Sequence, residues 1–144
     1  MTCKRGKLKY LKEIIALLRS NDLPIDGVAE NIDHFLVLQE GKEVVGCIGV
    51  EIYGNDGLLR SAAVCKDRQG QGLGSILTND LISFAKRLKL KRLYLLTATA
   101  AHFFSKFGFI EVSRETLDSP VLEAPEFTTI CWCSTPVMMR VIDR

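Results

Sequence analysis

The sequence predicts an α/β domain with a mixed central sheet, antiparallel in its N-terminal part and carrying a βαβ crossover in its second part. Three observations predict this fold class. Three strand-like runs follow one another between residues 35 and 65, separated by tight turns. A glycine-rich stretch, Asp67–Ser75, then opens a long periodic helix. The strand that follows this helix should run parallel to the strand before it, by a right-handed crossover.

The composition fits one globular domain covering residues 1–144. Hydrophobic residues make up 47% of the chain and charged residues 25%, as in ordinary globular proteins. The net charge of +2 is too small to indicate binding to nucleic acid or to an anionic membrane. The N-terminal stretch lacks the apolar core of a signal peptide, and no apolar run is long enough to span a bilayer. We therefore expect a cytoplasmic protein without a nucleic-acid or membrane partner.

The cysteines predict no metal site. Their number is odd, no Cys-x-x-Cys pair occurs, and the chain has two histidines, which makes a zinc site of the usual spacing unfavourable. Reduced thiols in a reducing compartment are the simplest interpretation. The five cysteines are Cys3, Cys47, Cys65, Cys131 and Cys133.

The N-terminal region predicts one amphipathic helix from about Lys7 to Asn21. Its apolar residues recur at helical spacing, and the segment Asn21–Pro24 ends it. The segment Asp26–Asp33 is either a further helix turn or a loop that shapes a substrate entrance. The predicted stripe consists of Leu8, Leu11, Ile15 and Leu18, widened by Ile14 and Leu17.

A hairpin should follow, with strands Phe35–Leu38 and Val44–Tyr53 around a turn at Glu40–Lys42. A second turn, Gly54–Gly57, leads into a strand from Leu58 to Cys65, which completes a meander. Side chains alternate along the second strand. One face is predicted to carry Val44, Ile48, Val50 and Ile52, and the other Val45, Cys47, Gly49, Glu51 and Tyr53.

The second half of the chain alternates between helices and strands. Gly108 is placed to end the shorter helix. Long segments without regular structure are often lids or binding loops, and one is predicted here. The predicted order is helix Leu73–Leu90, strand Leu93–Thr97, helix Ala100–Phe107, strand Phe109–Val112, irregular segment Ser113–Ser134 and strand Pro136–Ile142.

The glycine-rich stretch is suited to bind an anion. Glycines at 70, 72 and 74 let the backbone approach a ligand, and a helix N-terminus offers unpaired N–H groups and a positive dipole end. A Walker A loop is excluded because no Lys follows Gly74. A dinucleotide fingerprint is excluded because the glycine spacing differs and three antiparallel strands come first.

The stretch resembles the Q/R-x-x-G-x-G/A signature of the GNAT-type N-acyltransferase superfamily, through Gln69, Gly72 and Gly74. A second block, Ala100–Phe109, is similar to the A-x-x-F-Y-x-K-x-G-F block of that family. The resemblance covers nearly the whole chain. It implies a GNAT-like sheet with helices on both faces, and acetyl-CoA as the co-substrate. The residues it places at the cofactor are Ala63, Val64, Cys65, Gln69, Gly70, Gln71, Gly72, Leu73, Gly74, Ser75, Thr97, Phe103, Phe104 and Lys106.

The resemblance also implies how the thioester is activated. In this family, backbone N–H groups of the strand before the glycine loop stabilise the oxyanion. That strand splays from its parallel neighbour, and the pantetheine arm lies in the gap. Here the strand end is Ala63–Cys65, and the neighbour is Leu93–Thr97.

The catalytic base is expected on the central strand, where Glu51 and Tyr53 share a face. A carboxylate can take the proton of the amine directly or through water. The alternative is that Glu51 lies near a strand end and is only solvated. Arg60 either pairs with Glu51, which is the more ordinary outcome, or binds an anionic group of the acceptor.

Phe104 departs from the family pattern, because many relatives have at that position the Tyr that protonates the departing thiolate. A thiol has a pKa of about 8.5 and can leave without an acid. Ser105, Tyr94 or water are the alternatives. His102 lies on a short helix and is expected to be exposed.

The acceptor is expected to be a small amino-acid-like amine, because an α-amino group with a pKa of about 8 needs a weaker base than lysine. Segments 58–64, 93–100 and the C-terminal tail resemble the arsenic-resistance N-acetyltransferases. Cys131 and Cys133 are either an arsenic(III) ligand pair or unpaired thiols. Alternatives are a non-catalytic acyl-CoA-binding or metalloid-sensing module, and a peptide or protein acetyltransferase. A monomer or a homodimer is expected.

Overall fold

The computed structural model describes residues 2–128 and 135–142. It contains seven strands and four α-helices in those ranges. The strands are β1 (Thr2–Arg5), β2 (Phe35–Glu40), β3 (Glu43–Tyr53), β4 (Asp56–Val64), β5 (Arg92–Leu96), β6 (Ile110–Val112) and β7 (Val137–Val141). The helices are α1 (Leu11–Ser20), α2 (Leu73–Arg87), α3 (Ala101–Ser105) and α4 (Pro125–Thr128).

The strands form one mixed sheet in the order β1-β2-β3-β4-β5-β7-β6. The β1–β2 and β2–β3 pairs are antiparallel. Strand β5 follows α2 and pairs with β4 in parallel, as a βαβ crossover requires. The predicted fold class is confirmed. The sequence prediction missed β1, and it did not foresee that β7 lies between β5 and β6.

The described chain divides into two compact units. One comprises residues up to Glu51 together with Leu59–Ser83, and the other comprises Ile52–Leu58 with the chain from Phe84 onward. Strands β3 and β4 and helix α2 contribute to both units. The expectation of a single domain stays a prediction.

In the first unit, α1 and α2 cover opposite faces of β3. Cys47 is buried in a cluster with Ile14 and Leu18 of α1. A Cβ at the preceding residue, Gly46, would lie 2.8 Å from Leu77 of α2. Because successive strand residues point to opposite faces, the two helices lie on the two sides of the sheet, as the family resemblance implies.

Two details of this unit correct the predicted core. Leu8 is 71% exposed, because the helix starts with a 3-10 turn, Leu8–Tyr10, which places Tyr10 in the core instead. Val44 is buried in the same cluster as Cys47. The β2–β3 register shifts between Leu38 and Gln39 and leaves one extra residue in β3, which reverses the alternation at that point.

The second unit has its own core around Tyr94 of β5. The segment after Val112 is not wholly irregular: it contains two 3-10 turns, at Arg114–Thr116 and Pro120–Glu123, followed by α4. Apolar side chains from this segment are buried in the core, which consists of Leu58, Tyr94, Val121, Ala124, Phe127 and Val137. Burial of this surface holds the segment against the sheet.

Strand β4 begins earlier than the sequence predicts. Asp56 and Gly57 pair with Arg92 and Leu93 of β5, so the turn after β3 is confined to Gly54 and Asn55. Asp56 is a buried carboxylate at 3% exposure. Its ion pair with Arg92, at 3.3 Å, explains why an acidic residue is tolerated inside the strand.

Candidate functional site

The glycine loop begins where β4 ends and reverses the chain in a few residues. A 3-10 turn, Lys66–Arg68, follows Cys65, and Gln69 is extended. Gly70 and Gly72 then adopt positive φ angles of 83° and 81°. No heavy atom would lie within 4 Å of a Cβ at either position. These glycines are therefore required by backbone conformation, and the space beside them is open.

The loop leads into the N-terminus of α2, whose first N–H groups have no acceptor within the helix. The carbonyl of Gly72 accepts the N–H of Ile76 at 3.3 Å, which makes Gly72 the N-cap. The N–H groups of Leu73, Gly74 and Ser75 consequently have no acceptor within the helix. The first turn carries no acidic residue. The positive end of a 15-residue helix is therefore available to an anion.

Two sets of side chains hold the loop in place. The Gln69 amide nitrogen donates to the Val64 carbonyl and to Asn21 Oδ1, both at 3.1 Å. The Arg68 guanidinium donates from two nitrogens to the two carboxylate oxygens of Glu40. Arg68 lowers the pKa of Glu40, although solvent weakens an ion pair that is this exposed.

At the end of β4, the three residues proposed to activate the thioester differ in the direction of their backbone N–H groups. The Cys65 N–H donates to the Val45 carbonyl of β3 at 2.9 Å, and Ala63, two residues earlier in the strand, directs its backbone groups to the same edge of β4. Because backbone groups alternate in direction along a strand, the Val64 N–H points to the opposite edge of β4. The structure therefore makes Val64 the strongest oxyanion-donor candidate of the three.

Strand β4 also contains a strained residue. Ser61 has a φ of 59°, a left-handed conformation that is costly for a non-glycine residue. Its carbonyl accepts the Cys47 thiol at 3.4 Å, and its hydroxyl accepts the Arg60 Nε–H at 2.9 Å. These two bonds help to hold Ser61 in this conformation, three residues before Val64.

The described thiols are not prepared to act as nucleophiles. Burial raises the pKa of Cys47 to about 12. Burial and the neighbouring Asp80 raise the pKa of Cys3 to about 12. Burial, with Asp67 and Glu43, also raises the pKa of Cys65. A reactive cysteine needs a lowered pKa, so a covalent acyl-cysteine mechanism is disfavoured at these three positions.

Glu51 is buried rather than solvated, which contradicts that alternative. Its Oε2 lies 3.0 Å from Arg60 Nη1, and the two side chains are 7% and 9% exposed. Asn31 Nδ2 donates to the same oxygen at 3.3 Å. The predicted pairing of Arg60 with Glu51 is confirmed. This oxygen therefore accepts two hydrogen bonds from the protein.

Gly27 closes over this ion pair. A Cβ at Gly27 would lie 3.0 Å from Arg60 Nη1 and 3.3 Å from Glu51 Oε2, and its φ is 81°. The segment Asp26–Asp33, for which a helix turn or a loop was possible, forms turns here and a 3-10 turn at Ile32–His34. Tyr53, the second catalytic candidate, is partly buried against the core of the second unit.

In the second unit, β5 continues beyond its pairing with β4. The parallel ladder consists of three pairs and ends at Leu58–Tyr94. Strand β5 runs on through Leu95 and Leu96, which pair with β7 on its other side. Thr97 follows, and its hydroxyl accepts the Ala100 N–H at 2.9 Å. This bond closes the turn into α3, so Thr97 has a structural role that needs no ligand.

Helix α3 places its two central phenylalanines differently. Phe104 is 7% exposed, and its ring centroid lies 5.1 Å from that of Phe103 and 5.8 Å from that of Phe109, both edge-on. Phe103 is partly exposed, and Lys106 is exposed. His102 is exposed, as predicted. Phe104 therefore contributes to the core through aromatic packing.

Of the alternative proton donors, Ser105 is engaged in another hydrogen bond and Tyr94 is buried. The Ser105 hydroxyl donates to the His102 carbonyl at 2.7 Å. Tyr94 is buried, and burial raises the pKa of its hydroxyl. Ser119 donates to Asp56 Oδ2 at 2.6 Å. This bond joins the segment after β6 to β4.

Residues 2–128 and 135–142 contain neither a metal-binding cluster nor a membrane-spanning helix. No group of three or more His, Cys, Asp or Glu side chains in these ranges is arranged to hold a metal ion. No helix there is long and apolar enough to cross a bilayer. Cys131 and Cys133, the predicted arsenic ligands, lie outside the described residues.

Sequence reasoning missed the polar partners that support the site. Asn21 bonds to Gln69 across 48 residues, and Asn31 bonds to Glu51 across 20. The sequence shows Asn21 only as part of a helix-ending segment. Glu51 and Arg60, two charged residues within strands, were the signal that a buried polar cluster exists.

Comparison with known proteins connects this geometry to a family. The family model described as an acetyltransferase (GNAT) domain matches residues 31–111, which is more than half of the chain. The match covers β3, β4, the glycine loop, α2 and α3. It therefore includes both motifs on which the resemblance was based.

Curated relatives are called amino-acid acetyltransferases. One from Ralstonia nicotianae is 32% identical over 60% of this chain, which spans 20% of that relative. One from Mycobacterium tuberculosis is 30% identical over 82% of this chain, which spans 63% of that relative. The chain thus covers only about a fifth of the length of several of the relatives that it matches.

Solved structures show the same fold. N-acetylglutamate synthase from Neisseria gonorrhoeae, complexed with coenzyme A and N-acetyl-glutamate, aligns over 99% of this chain and 35% of its own, with a TM-score of 0.85 and 19% identity. A GNAT-family acetyltransferase from Staphylococcus aureus Mu50 aligns over 99% of both chains, with a TM-score of 0.77 and 22% identity. With the family model matched across the glycine loop and both flanking elements, the chain belongs to the GNAT acetyltransferase family.

Proposed function

We propose that the protein is an acetyl-CoA-dependent N-acetyltransferase that acts on the amine of a small, amino-acid-like acceptor. The observation that carries the proposal is the glycine loop, in which two left-handed glycines present the first turn of α2 in a chain of the GNAT family. The names of the curated relatives support an amino-acid-like acceptor.

The pyrophosphate of acetyl-CoA is proposed to bind at the start of α2. The N–H groups of Leu73, Gly74 and Ser75 are the donors, together with the loop from Gln69 to Gly72. A hydrogen bond to a charged acceptor contributes about 1.5–3 kcal/mol, and the helix dipole favours the negative charge. The first turn lacks acidic residues that would oppose binding.

The pantetheine arm is proposed to run along the edge of β5 at Leu95 and Leu96, beyond the last β4–β5 pair. An extended ligand can pair there as an added strand would. Phe103 and Lys106 are proposed to contact the cofactor near α3. Thr97 and Phe104 remain cofactor candidates, although both have a structural role of their own.

Chemistry is proposed to proceed by direct transfer. The neutral amine attacks the thioester carbon, and the oxygen gains negative charge, which the Val64 N–H stabilises. Collapse of this intermediate breaks the C–S bond and releases the CoA thiolate. The raised thiol pKa values of Cys3, Cys47 and Cys65 fit a mechanism without a covalent enzyme intermediate.

The two protons of this reaction need separate routes. We propose that Glu51, held by Arg60 and Asn31, and Tyr53 guide the amine proton to solvent through water. Water is proposed to protonate the departing thiolate, because Phe104 has no proton to give. The Ser105 hydroxyl is engaged elsewhere, and burial raises the pKa of the Tyr94 hydroxyl.

The proposed route of the amine proton through water affects which acceptor is preferred. At pH 8 an α-amino group has a larger neutral fraction than a lysine amine, whose pKa is about 10.4. Because Glu51 is proposed to act through water and not directly on the amine, the site favours acceptors whose amine is already neutral. We therefore expect α-amines to react faster than ε-amines.

Release of CoA from acetyl-CoA across a panel of amines tests the proposal. The panel compares free amino acids, Nα-blocked lysine and a short peptide at pH 8. We expect kcat/KM for the best free amino acid to exceed that for blocked lysine by at least tenfold. A preference for blocked lysine would contradict the acceptor class, and a preference for the peptide would favour a protein acetyltransferase.

The second candidate is a non-catalytic acyl-CoA-binding or metalloid-sensing module. The observation that favours it is Phe104, a buried aromatic ring where many relatives have a Tyr acid. The same assay separates the candidates. Acetyl-CoA binding by calorimetry, without CoA release for any amine, would favour the binding module and contradict the enzyme.

A link to arsenic resistance is a narrower proposal that rests on the sequence resemblance alone. We propose that expression of the protein raises the arsenite tolerance of an arsenite-sensitive bacterial strain. Unchanged arsenic(III) binding in a variant lacking Cys131 and Cys133 would remove the proposed ligand pair.

We further propose that residues 1–144 form one domain, active in the cytoplasm as a monomer or a homodimer.

A further inference from the structure

The side chain of Asn21 joins three segments of the first unit. Its Nδ2 donates to the Leu17 carbonyl of α1 at 2.9 Å and to the Val64 carbonyl of β4 at 3.3 Å. Its Oδ1 accepts the amide N–H of Gln69 at 3.1 Å. One amide therefore connects the end of a helix, the end of a strand and the start of the glycine loop.

Gln69 closes this arrangement into a ring of hydrogen bonds. Its Nε2 also donates to the Val64 carbonyl at 3.1 Å, so that carbonyl accepts from two side chains. The N–H of the same peptide group, that of Cys65, donates to Val45 at 2.9 Å. The peptide plane after Val64 is thus fixed on both sides, and the loop starts from a defined direction.

Termination of α1 does not account for this use of Asn21. The backbone already closes the helix, because the N–H groups of Asn21 and Leu23 both donate to the Leu18 carbonyl, at 3.1 and 2.9 Å. The Ser20 hydroxyl also donates to the Leu17 carbonyl at 2.9 Å. The left-handed residue after the helix is Asp22, with a φ of 57°. The bonds of Asn21 that helix termination does not require are those to β4 and to the loop.

We propose that Asn21 is a positioning residue for acetyl-CoA. Through Gln69 it sets the entry into Gly70–Gly72, and therefore the direction in which the N–H groups of α2 point. Through the Val64 carbonyl it fixes the strand end that carries the proposed oxyanion donor. This inference rests on the proposed function, and it adds a residue at the C-terminal cap of α1 that lies 48 positions from Gln69.

The test is Asn21→Ala, measured by CoA calorimetry and steady-state kinetics. We expect the Kd of CoA and the KM of acetyl-CoA to rise about tenfold, with the KM of the acceptor unchanged. The matched control is Ser20→Ala, which removes a bond to the same Leu17 carbonyl. The distance from Ser20 Oγ to Asn21 Nδ2 is 3.5 Å, which is the longest hydrogen bond of the Asn21 side chain. Ser20→Ala should therefore change the Kd of CoA less than twofold.

Gln69→Ala provides a second test at an exposed position, should Asn21→Ala fail to fold. Because both residues act on the same carbonyl and on each other, their effects should not add. The Kd of CoA for the double variant should be no more than about twofold higher than the Kd of whichever single variant binds more weakly. Additive effects would contradict a shared role.

A purely structural role gives a different result. Asn21→Ala would then lower the melting temperature while CoA bound with unchanged Kd below that temperature, and the inference would be overturned. Wild-type protein that fails to bind CoA would instead contradict the proposed function. The two failures are therefore distinguishable in the same calorimetric series.

Discussion

The glycine loop (Gln69–Ser75) and the aromatic block (Ala100–Phe109) resemble the same family, but their residues do different things in the fold. In the loop, Gly70 and Gly72 make few demands on packing, since a Cβ at either would meet no heavy atom within 4 Å. In the block, Phe104 is buried between two other aromatic rings. The loop motif thus depends on backbone conformation and leaves the space beside its glycines open. The block motif depends on side chains, and one of them is also part of the hydrophobic core.

This difference implies that substitutions in the two regions should separate stability from binding. Changes in the block should mainly lower the free energy of unfolding. Changes in the loop should mainly weaken CoA binding.

The largest effect is expected from Phe104→Ala. Removing a buried phenylalanine ring costs about 3–5 kcal/mol of unfolding free energy, because the edge-on contacts with Phe103 and Phe109 are lost. Urea denaturation of wild type and variant measures this, with Phe103→Ala as a partly exposed control that should cost less. A stable Phe104→Ala variant that no longer turns over would instead make this ring a wall of the reaction site.

Gly72→Ala should weaken CoA binding with a modest loss of stability. A Cβ fits sterically, but a left-handed alanine costs about 1–2 kcal/mol, which the backbone can relieve by turning its N–H groups away from the ligand. We expect the Kd of CoA to rise at least tenfold by calorimetry.

Gly41→Ala is the matched control for Gly72→Ala. Gly41 has a φ of 61° in the β2–β3 turn, and no heavy atom lies within 4 Å of its Cβ position, so the strain should be similar. Its Kd for CoA should equal that of wild type. Equal weakening by both substitutions would show that strain alone, and not the loop, controls binding.

The buried thiol of Cys47 should make the stability of the fold depend on pH in the alkaline range. Burial raises the pKa of Cys47 to about 12, from an ordinary value of about 8.5. A raised pKa stabilises the fold fully below the ordinary value, and this contribution is lost as the pH rises towards 12. Wild-type stability should therefore fall between pH 9 and 11, as measured by urea denaturation at each pH.

Cys47→Ala should be less stable at pH 7, because it leaves a cavity, but should lose less stability over the alkaline range. Cys65, beside the loop and partly exposed, is the comparison residue. Cys65→Ala should alter the slope with pH less than Cys47→Ala does. An unchanged slope in Cys47→Ala would mean that this thiol does not titrate in the folded state as its burial implies.

Local patterns were sufficient to predict much of the fold. The turn at Gly41, the stripe of α2 and the glycine loop depend on neighbours in sequence, because backbone conformation and helical periodicity are local properties. The order of elements then required β5 to lie parallel to β4. The anion-binding loop followed from the same local signals, and the family resemblance then implied acetyl-CoA as its ligand.

The remaining features depend on contacts between residues that are distant in sequence. Asp56 was assigned to a turn because Asp disfavours strands, but Ser119, 63 residues away, and Arg92 stabilise it in β4. The bond between Asn21 and Gln69 depends on the tertiary packing that brings the end of α1 next to the end of β4. The extra residue in β3 reversed the expected side of Val44. Periodicity alone cannot supply such information.

The most direct test of the account is an amide ¹H–¹⁵N titration of the protein with CoA and with pantetheine, which lacks the pyrophosphate. We expect CoA to produce its largest shifts at the N–H groups of Gly70, Gly72, Leu73, Gly74 and Ser75, and pantetheine to leave them nearly unchanged. CoA binding that leaves these five amides unshifted, or equal shifts with pantetheine, would contradict a pyrophosphate site at the start of α2.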